Sequence, residues 1–273
     1  MSAATIGPDM RVGTEPVKGF DLLKRSHTGG DLIQWNNHTG LWTAAPSPAL
    51  LREDLTDTVP IRTGVQYPNR INRHGWYAWT GRAEHVWFES ALEMETLLSL
   101  DQRSVVAEIA SQPVSILFRA ESPCVSHVPD YVATLRTGEQ VLIDVKPSSR
   151  MTPKAVEQFA ETARICQRVG WGQWVLNEEH PDRRRNLAAL REFRHARCHP
   201  DPDRFEQALA VFSSGRSIGE GRQMLSVRFP SLAMPFIGHL IWHRFLDMPW
   251  EQPLDLDTIL TTTTRGTSCC NPA

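Results

Sequence analysis

The alternation of apolar and polar residues predicts a β-hairpin in the middle of the chain. Two runs rich in apolar and β-branched residues flank the polar turn 137–139, which contains a glycine. The second run has its apolar side chains on one face, at Val141, Ile143 and Val145. Asp144 and Lys146 then share the other face, and a three-residue loop over 137–139 would put Asp130 opposite Lys146. The hairpin therefore predicts two carboxylates and an ammonium on one face.

A helix is predicted on each side of this hairpin. Upstream, residues 86–98 have helical spacing with a broad apolar side, made of Phe88, Leu92, Leu97, Leu98 and Leu100. Downstream, Thr152-Pro153 is a typical helix start and Gly170 a typical end. The buried stripe of that helix is predicted at Val156, Phe159, Ala160, Ala163, Cys166 and Val169. Residues 171–176 read as a strand, so the element order predicts an α/β fold with a mixed sheet flanked by helices.

The rest of the chain predicts an arm, a second domain and a tail. Residues 1 to about 60 are rich in Gly, Pro, Thr and Asn, and we expect an irregular arm that orders against a partner. The core domain then covers 61–200. Residues 200–203, Pro-Asp-Pro-Asp, mark the start of a small helical domain over 201–260. The tail 261–273 is expected to be disordered.

Composition restricts the classes of function. Apolar residues make up 41% and charged residues 22% of the 273 residues, as in an ordinary globular protein. The formal net charge of −2 is unusual for a protein that binds DNA alone, because phosphate neutralisation dominates that affinity. No secretory signal is predicted at the start, and the longest apolar stretch, near 232–242, is too short for a membrane span. We therefore expect a cytoplasmic protein that does not enter a membrane.

The charges of the hairpin suggest metal chemistry. Two neighbouring carboxylates, Asp130 and Asp144, repel each other unless a cation lies between them. Mg²⁺ is usually held by one or two carboxylates together with water and substrate phosphate. Lys146 could then orient the attacking water or neutralise the phosphate as charge develops. The alternative is a solvated strand face that carries ordinary charges.

Three further groups of residues carry weaker signals. Glu89 and Glu93 are four residues apart and share a helix face. They are either a pair that lies near a cation or two solvated glutamates. The aromatic residues at 76, 77, 79 and 87 could stack on DNA, although core packing is the more common use of such residues. The segment 183–197 is a basic helix whose Arg184, Arg191 and Arg194 either contact phosphate or face water.

Four short motifs, taken in order, resemble the TnsA-type transposase endonucleases. They are Ser90-Ala91-Leu92-Glu93, the strand and glutamine at Glu108–Pro113, Val128-Pro129-Asp130-Tyr131, and Ile143-Asp144-Val145-Lys146-Pro147. The resemblance covers roughly residues 60–200 and rests on the order and spacing of the motifs, since each motif alone is weak.

This resemblance implies a restriction-endonuclease-like core and a winged-helix-like C-terminal domain. The implied activity is that of a Mg²⁺-dependent DNA endonuclease, with Mn²⁺ as an alternative ion. It would cut the non-transferred strand at transposon ends, together with a TnsB-like DDE transposase and a TnsC-like ATPase. Two other functions stay open: a stand-alone restriction-like nuclease in repair or defence, and a catalytically silent adaptor with the same fold.

The resemblance also implies roles for single residues. Glu93, Asp130 and Lys146 match the catalytic positions, and Asp144 matches the remaining metal-site position. In this match Glu93, Asp130 and Asp144 are the metal ligands. Glu89 is an alternative to Glu93, and Gln112 is a supporting residue. The sequence departs from the family's best-known member at Asp144, where that member has a glutamine, so the site here is more acidic.

Overall fold

The structure is a computed structural model that describes residues 29–61, 74–80, 85–226 and 228–269. The chain divides into two compact units. The first contains residues up to 96 together with 105–178, and the second contains residues 97–104 together with those from 179 onward. The predicted domain boundary lay near residue 200, so the observed division between 178 and 179 falls earlier in the chain.

Strands dominate the first unit. They are β1 (Leu32–Asn37), β2 (Gly40–Ala44), β3 (Gly75–Ala78), β4 (His85–Phe88), β5 (Val106–Ser111), β6 (Val114–Leu117), β7 (Ser126–His127), β8 (Tyr131–Leu135), β9 (Gln140–Val145) and β10 (Gly172–Leu176). One sheet has the order β2-β1-β6-β7, and a mixed sheet has the order β10-β9-β8-β5. Strands β3 and β4 form a separate antiparallel pair.

Two helices accompany the mixed sheet, α1 (Ala91–Arg103) and α2 (Pro153–Val169). Along the chain the elements follow one another as α1, β5, β8, β9, α2 and β10. Strand β9 is antiparallel to β8 and parallel to β10, so the sheet is mixed. The prediction of an α/β fold with a mixed sheet is confirmed.

The predicted upstream helix begins later than expected. Residues 85–88 form strand β4, and α1 starts after Ser90 and ends before Ser104, whose φ is 54°. A continuous run of Val, Trp and Phe fits a strand buried on both faces as well as a helix, and periodicity does not separate the two. The hydroxyl of Ser90 accepts the N–H of Glu93, as an N-cap residue does, and this fixes the first turn.

Helix α2 has the predicted ends but a rotated buried face. Thr152 caps its start and Gly170, with a φ of 96°, ends it. The buried positions are Ala155, Phe159, Thr162, Ile165, Cys166 and Val169. The predicted positions Val156, Ala160 and Ala163 are exposed. The buried face of the helix is instead the one that carries the larger Ile165.

Residues 29–61 differ from the expected irregular arm. Strands β1 and β2 form a hairpin, and β1 also pairs with β6 far along the chain. Ile33, Trp35, Leu50 and Leu55 are buried in the core of the first unit, where they join residues of α2 such as Ile165 and Val169. The part of the predicted arm before residue 29 lies outside the described residues.

The second unit is helical with a small sheet. Its elements are α3 (Pro181–Leu190), α4 (Pro202–Phe212), β11 (Arg216–Ser217), α5 (Ile218–Leu225), α6 (Met234–Trp242), β12 (Leu246–Asp247), β13 (Ile259–Thr262) and α7 (Thr264–Cys269). The sheet has the order β11-β13-β12. The end of strand β13 and helix α7 lie in the segment 261–273 that was predicted to be a disordered tail, while residues 270–273 lie outside the described part of the chain.

Helix α6 is the most apolar helix of the second unit. All its residues from 236 to 242 are buried. Within the described residues, no single helix has the length and apolar character needed to cross a membrane. Among the described segments, only α5 taken together with 230–242 has that length and composition, and these two segments are bent by 101°.

A buried carboxylate connects the start of β1 to helix α2. Asp31 accepts hydrogen bonds from the guanidinium groups of Arg164, at 2.7 and 2.8 Å, and of Arg168, at 2.7 Å. It also accepts the backbone N–H of Arg119 at 2.9 Å. Although burial opposes the charge, these donors and cations lower the pKa of Asp31 to about 2. The carboxylate therefore stabilises the fold in its ionised form.

We expect the change Asp31→Asn to lower the free energy of unfolding at pH 7 by about 2 kcal/mol, the equivalent of the depressed pKa. The folded pKa lies below the ordinary value, so the contribution is present above pH 4 and is lost as the pH falls toward 2. Urea unfolding of both proteins between pH 7 and pH 3 would measure this. Asp57→Asn, at a largely exposed carboxylate, is the matched control. A constant difference across this pH range would contradict the interpretation.

Candidate functional site

The hairpin β8–β9 brings two of the predicted carboxylates face to face. Tyr131 pairs with Ile143, and the register extended by one residue puts Asp130 opposite Asp144. The turn that sets this register is 136–138: the N–H of Leu135 donates to the carbonyl of Glu139, and the N–H of Gly138 donates to the carbonyl of Leu135. The predicted turn lay one residue later, so the partner of Asp130 is Asp144 and not Lys146. The partner of Asp130 thus moves by two positions along β9. Because side chains alternate between faces, a shift of two leaves Asp130, Asp144 and Lys146 on the same face.

The carboxylate of Asp130 is bound to the neighbouring strand. Its Oδ2 accepts the backbone N–H of Val145 at 2.7 Å. The backbone carbonyl of Asp130 accepts the N–H of Gln112 at 2.8 Å. Asp130 is therefore attached to β9 on one side and to the end of β5 on the other. The side chain is half-buried.

Asp144 lies deeper than Asp130 and has one oxygen without a partner. The residue is 3% exposed. Its Oδ1 is 2.8 Å from Nε2 of His127, whereas Oδ2 is buried and has no hydrogen-bond partner among the described residues. Burial, and secondly the charge of Asp144, raise the pKa of the Cys166 thiol on α2 to about 12. The carboxylate therefore lies on the α2 side of the sheet.

Gln112 occupies the corner between β5 and β6 with two unfavourable features. Its φ is 47°, in the left-handed region that side chains other than Gly and Asn rarely adopt. Its Oε1 is buried without a hydrogen-bond partner among the described residues. Strained backbone and unsatisfied buried polar atoms are both concentrated at functional sites in proteins. Gln112 therefore combines two features that are typical of a site residue.

Lys146 follows β9 directly. Its backbone N–H donates to the carbonyl of Leu176 at 2.9 Å, which continues the pairing of β9 with β10. The side chain is half-buried, and no hydrogen bond or ion pair joins its ammonium to a described residue. Alternation places it on the face of Asp144, two residues away. The ammonium is therefore available to an anionic ligand.

Glu93 has a structural use at the start of α1. Its Oε2 accepts the backbone N–H of Glu89 at 2.8 Å, and its Oε1 accepts the hydroxyl of Ser90 at 2.8 Å. With the Ser90 cap this resembles a capping box, in which the third helical residue reaches back to the residues before the helix. Burial, and secondarily the charge of Glu89, raise the pKa of Glu93. The Ser-x-x-Glu motif thus has a local folding role.

Glu93 contacts Tyr131, whose side chain lies on the opposite face of β8 from that of Asp130. The hydroxyl of Tyr131 donates to Glu93 at 3.4 Å, and its side chain points away from the face that Val132 and the α2 core share. Burial, and secondly the Glu93 charge, keep the pKa of Tyr131 well above its ordinary value, so the phenol is a donor. Among the described residues, no group of three or more His, Cys, Asp or Glu side chains is arranged to hold a metal ion.

The donor atoms near Asp130 nevertheless suit a hard cation. Mg²⁺ takes oxygen ligands and keeps several waters, so two carboxylates and an amide oxygen are a sufficient protein contribution. Asp144 and Gln112 each have a buried oxygen without a donor among the described residues. Asp130 lies between them: its carbonyl accepts the N–H of Gln112, and its carboxylate accepts the N–H of Val145, next to Asp144. A cation or its bound water would satisfy them.

The other sequence signals resolve in different ways. Tyr77, Trp79 and Trp87 are buried, whereas Trp76 is 60% exposed and contacts Trp87 edge-on at 5.0 Å. In the second unit, Arg184 is exposed, while Arg191 lies 3.3 Å from Glu192 and Arg194 donates to the carbonyl of Arg191. The aromatic residues therefore serve mainly packing, and the arginines at 191 and 194 have partners within the protein.

His127 is the residue that sequence reasoning missed. It precedes Asp130 by three residues, and a single histidine at that spacing carries no signal of its own. Its contact with Asp144 depends on the pairing of β7 with β6 and on the hairpin register together.

Comparison with known proteins adds no family assignment. No protein-family profile matches the chain, and no curated protein matches it at a significant level.

The conformation of Gln112 leads to a test of stored strain. We expect Gln112→Gly to be more stable than Gln112→Ala by about 1 kcal/mol, because only glycine relieves a positive φ. Both changes remove the unsatisfied amide oxygen, so their difference isolates the backbone. Urea unfolding of the two variants would measure it. Equal stabilities, or a more stable alanine variant, would show that this corner is not strained.

Proposed function

We propose that the chain is a metal-dependent DNA endonuclease of the TnsA-like type, which cuts the non-transferred strand at transposon ends. One observation carries the proposal: Asp144 on β9 and Gln112 next to the end of β5, on either side of Asp130, each bury an oxygen that finds no donor within the described part of the chain. Leaving such atoms unpaired costs about 1–3 kcal/mol each, and more for a charged group. A cation-binding role for these oxygens accounts for that cost.

The arrangement of elements supports the same proposal. The restriction-endonuclease-like core that the motifs imply has a helix, strands with a catalytic hairpin, a second helix and a further strand. The first unit has α1, β5, the hairpin β8–β9, α2 and β10 in that order. Asp130, Asp144 and Lys146 lie at the open end of this hairpin, away from its turn.

The proposed roles follow from the geometry of each side chain. Asp130 and Asp144 would hold Mg²⁺ or Mn²⁺, and Gln112 would contribute its amide oxygen directly or through water. When bound, the cation would polarise the scissile phosphate and lower the pKa of a coordinated water. Among the described residues Lys146 has no anionic partner, so its ammonium would neutralise charge that develops on the phosphate.

Glu93 has a more limited role in the proposal. As a metal ligand it would have to release the N–H of Glu89 and the hydroxyl of Ser90. Glu89 is buried and adjacent, so it stays an alternative for the third carboxylate. With its present contacts, Glu93 orders the first turn of α1.

The second unit favours protein partners over direct DNA reading. The order α4, β11, α5, α6, β12, β13 with β13 in the middle of the sheet supports a winged-helix-like domain. In such domains the second helix of the helix-turn-helix enters the major groove. The corresponding helix here, α6, is buried from 236 to 242. With a net charge of −2, this chain would rely on a TnsB-like transposase, and on a TnsC-like ATPase, to reach transposon ends.

The competing functions differ in what they require. A catalytically silent adaptor would show no metal-dependent cleavage in any setting. A stand-alone restriction-like nuclease would make site-specific double-strand breaks by itself. The proposed subunit would cut efficiently only with its transposase.

The test of the proposed function is strand cleavage with substituted carboxylates. With the transposase and DNA that carries transposon ends, Asp130→Asn and Asp144→Asn should each reduce cleavage of the non-transferred strand by about 10²-fold or more. Asparagine keeps an acceptor for the N–H of Val145, so the hairpin should persist. Asp57→Asn is the matched control at an exposed carboxylate. Wild-type rates in the Asp130 variant would refute the assignment.

The role of Lys146 is tested separately from metal binding. Lys146→Ala should reduce cleavage by about 10²-fold while leaving the Mn²⁺ isotherm unchanged, because an ammonium does not ligate the cation. Calorimetry would measure binding, and Lys154→Ala at an exposed position is the control. Loss of the isotherm in Lys146→Ala would contradict this division of roles.

A further inference from the structure

His127 forms a buried pair with Asp144. Its Nε2 is 2.8 Å from Oδ1, and the two side chains are only 11% and 4% exposed. A carboxylate that serves as a metal ligand only accepts hydrogen bonds, so in that role its partner in this contact is an N–H at Nε2 of the imidazole. The contact therefore occupies one of the two oxygens of Asp144 with a directed donor.

The imidazole is fixed by elements on two sides. His127 pairs with Ile116 of β6. Its ring meets that of Phe159 on α2 edge-on, with the centroids 6.2 Å apart. The amide of Gln158, also on α2, donates to the carbonyl of Ser126 at 3.2 Å. The donor at Nε2 is therefore held in place before any ligand binds.

Holding Oδ1 determines where Oδ2 points. A carboxylate rotates about its Cβ–Cγ bond, and a directed hydrogen bond to one oxygen restricts that rotation. The second oxygen of Asp144 is then fixed in a buried position, where no described residue donates to it. Burying Oδ2 without a donor costs stability, and buried ion pairs contribute little net stability. Stability alone therefore does not explain the pair.

We propose that His127 is a positioning residue that orients the Asp144 carboxylate so that Oδ2 is presented to the divalent cation. This rests on the proposed function, in which Asp144 is a metal ligand. Residues that hold metal ligands through a second hydrogen bond typically change metal affinity when they are replaced. His127 touches neither substrate nor cation and acts through Asp144.

Mn²⁺ binding to the full chain, measured by calorimetry, provides the main test. His127→Ala should weaken Mn²⁺ binding about 10- to 100-fold. His127→Gln places an amide N–H near the former Nε2 and should recover most of that affinity. Cleavage with the transposase should show the same pattern at low Mn²⁺ and approach the wild-type rate at saturating Mn²⁺, because only the affinity for the ion has changed.

Two controls separate positioning from general stability. Asp31→Asn destabilises the same unit at a different place, so it should leave the Mn²⁺ isotherm unchanged. Urea unfolding identifies a variant that does not fold. If His127→Ala fails to fold, His127→Gln decides, and an affinity in the folded glutamine variant reduced about 10-fold or more would overturn the proposal.

The remaining outcomes distinguish the two proposals. If the wild type binds Mn²⁺ and loses it in Asp130→Asn, while His127→Ala binds as the wild type does, the positioning role is wrong and the nuclease proposal stands. If the wild type does not bind Mn²⁺, or Asp130→Asn binds it equally well, the proposed metal site is wrong and the role of His127 fails with it.

Discussion

The register of the β8–β9 hairpin is the constraint on which the rest of the first unit depends. The middle of β9, Val141-Leu142-Ile143, is apolar and buried on both faces, so alternation alone does not decide which side chains meet α2. The short turn ending at Gly138 decides it, because the φ of 90° there is accessible to glycine at little cost. A slip of one residue in β9 would carry Asp144 to the opposite face and away from His127.

Polar groups in this unit are concentrated at positions where elements join. Asp31 connects β1 to α2, His127 and Asp144 connect β7 to β9, and the backbone of Gln112 connects the β5–β6 corner to β8. Asp31 is fully paired and stabilises the fold in its ionised form. Asp144 and Gln112 each keep an oxygen that no described residue satisfies, and such atoms cost stability. The apolar core around Ile33, Trp35 and α2 has to offset that cost.

Local chemistry made part of this fold predictable. A cap at Thr152, a proline after it and a glycine at 170 determine the ends of α2 with no tertiary information. The hairpin followed from two β-rich runs and a short turn. Strand β1 could not be predicted in this way, because its pairing with β6 joins residues about 80 positions apart and its own sequence is rich in Asn and Gln. The buried face of α2 was misplaced because alanines tolerate exposure and give a weak periodic signal.

The candidate site shows the same division between local and distant information. Asp130, Asp144 and Lys146 were predicted because one hairpin carries all three, and their common face follows from parity. The relation of Glu93 to them depends on how α1 meets the sheet, which no local pattern determines. A capping box and a catalytic Ser-x-x-Glu motif have the same letters, and the hydrogen bonds of Ser90 and Glu93 show that the capping chemistry operates here.

The negative charge of the chain explains why the proposed function needs both a metal ion and partner proteins. A site built from Asp130 and Asp144 repels a phosphate backbone unless a cation and Lys146 offset it locally. The whole chain carries a net charge of −2, and α6, which would be the groove helix of the proposed winged-helix-like domain, is buried. This net charge does not by itself give the chain the strongly positive field that typically holds DNA. Under the proposed function the cation offsets the repulsion between the site and the DNA phosphates. A basic partner has to offset the repulsion between the DNA and the net negative charge of the chain.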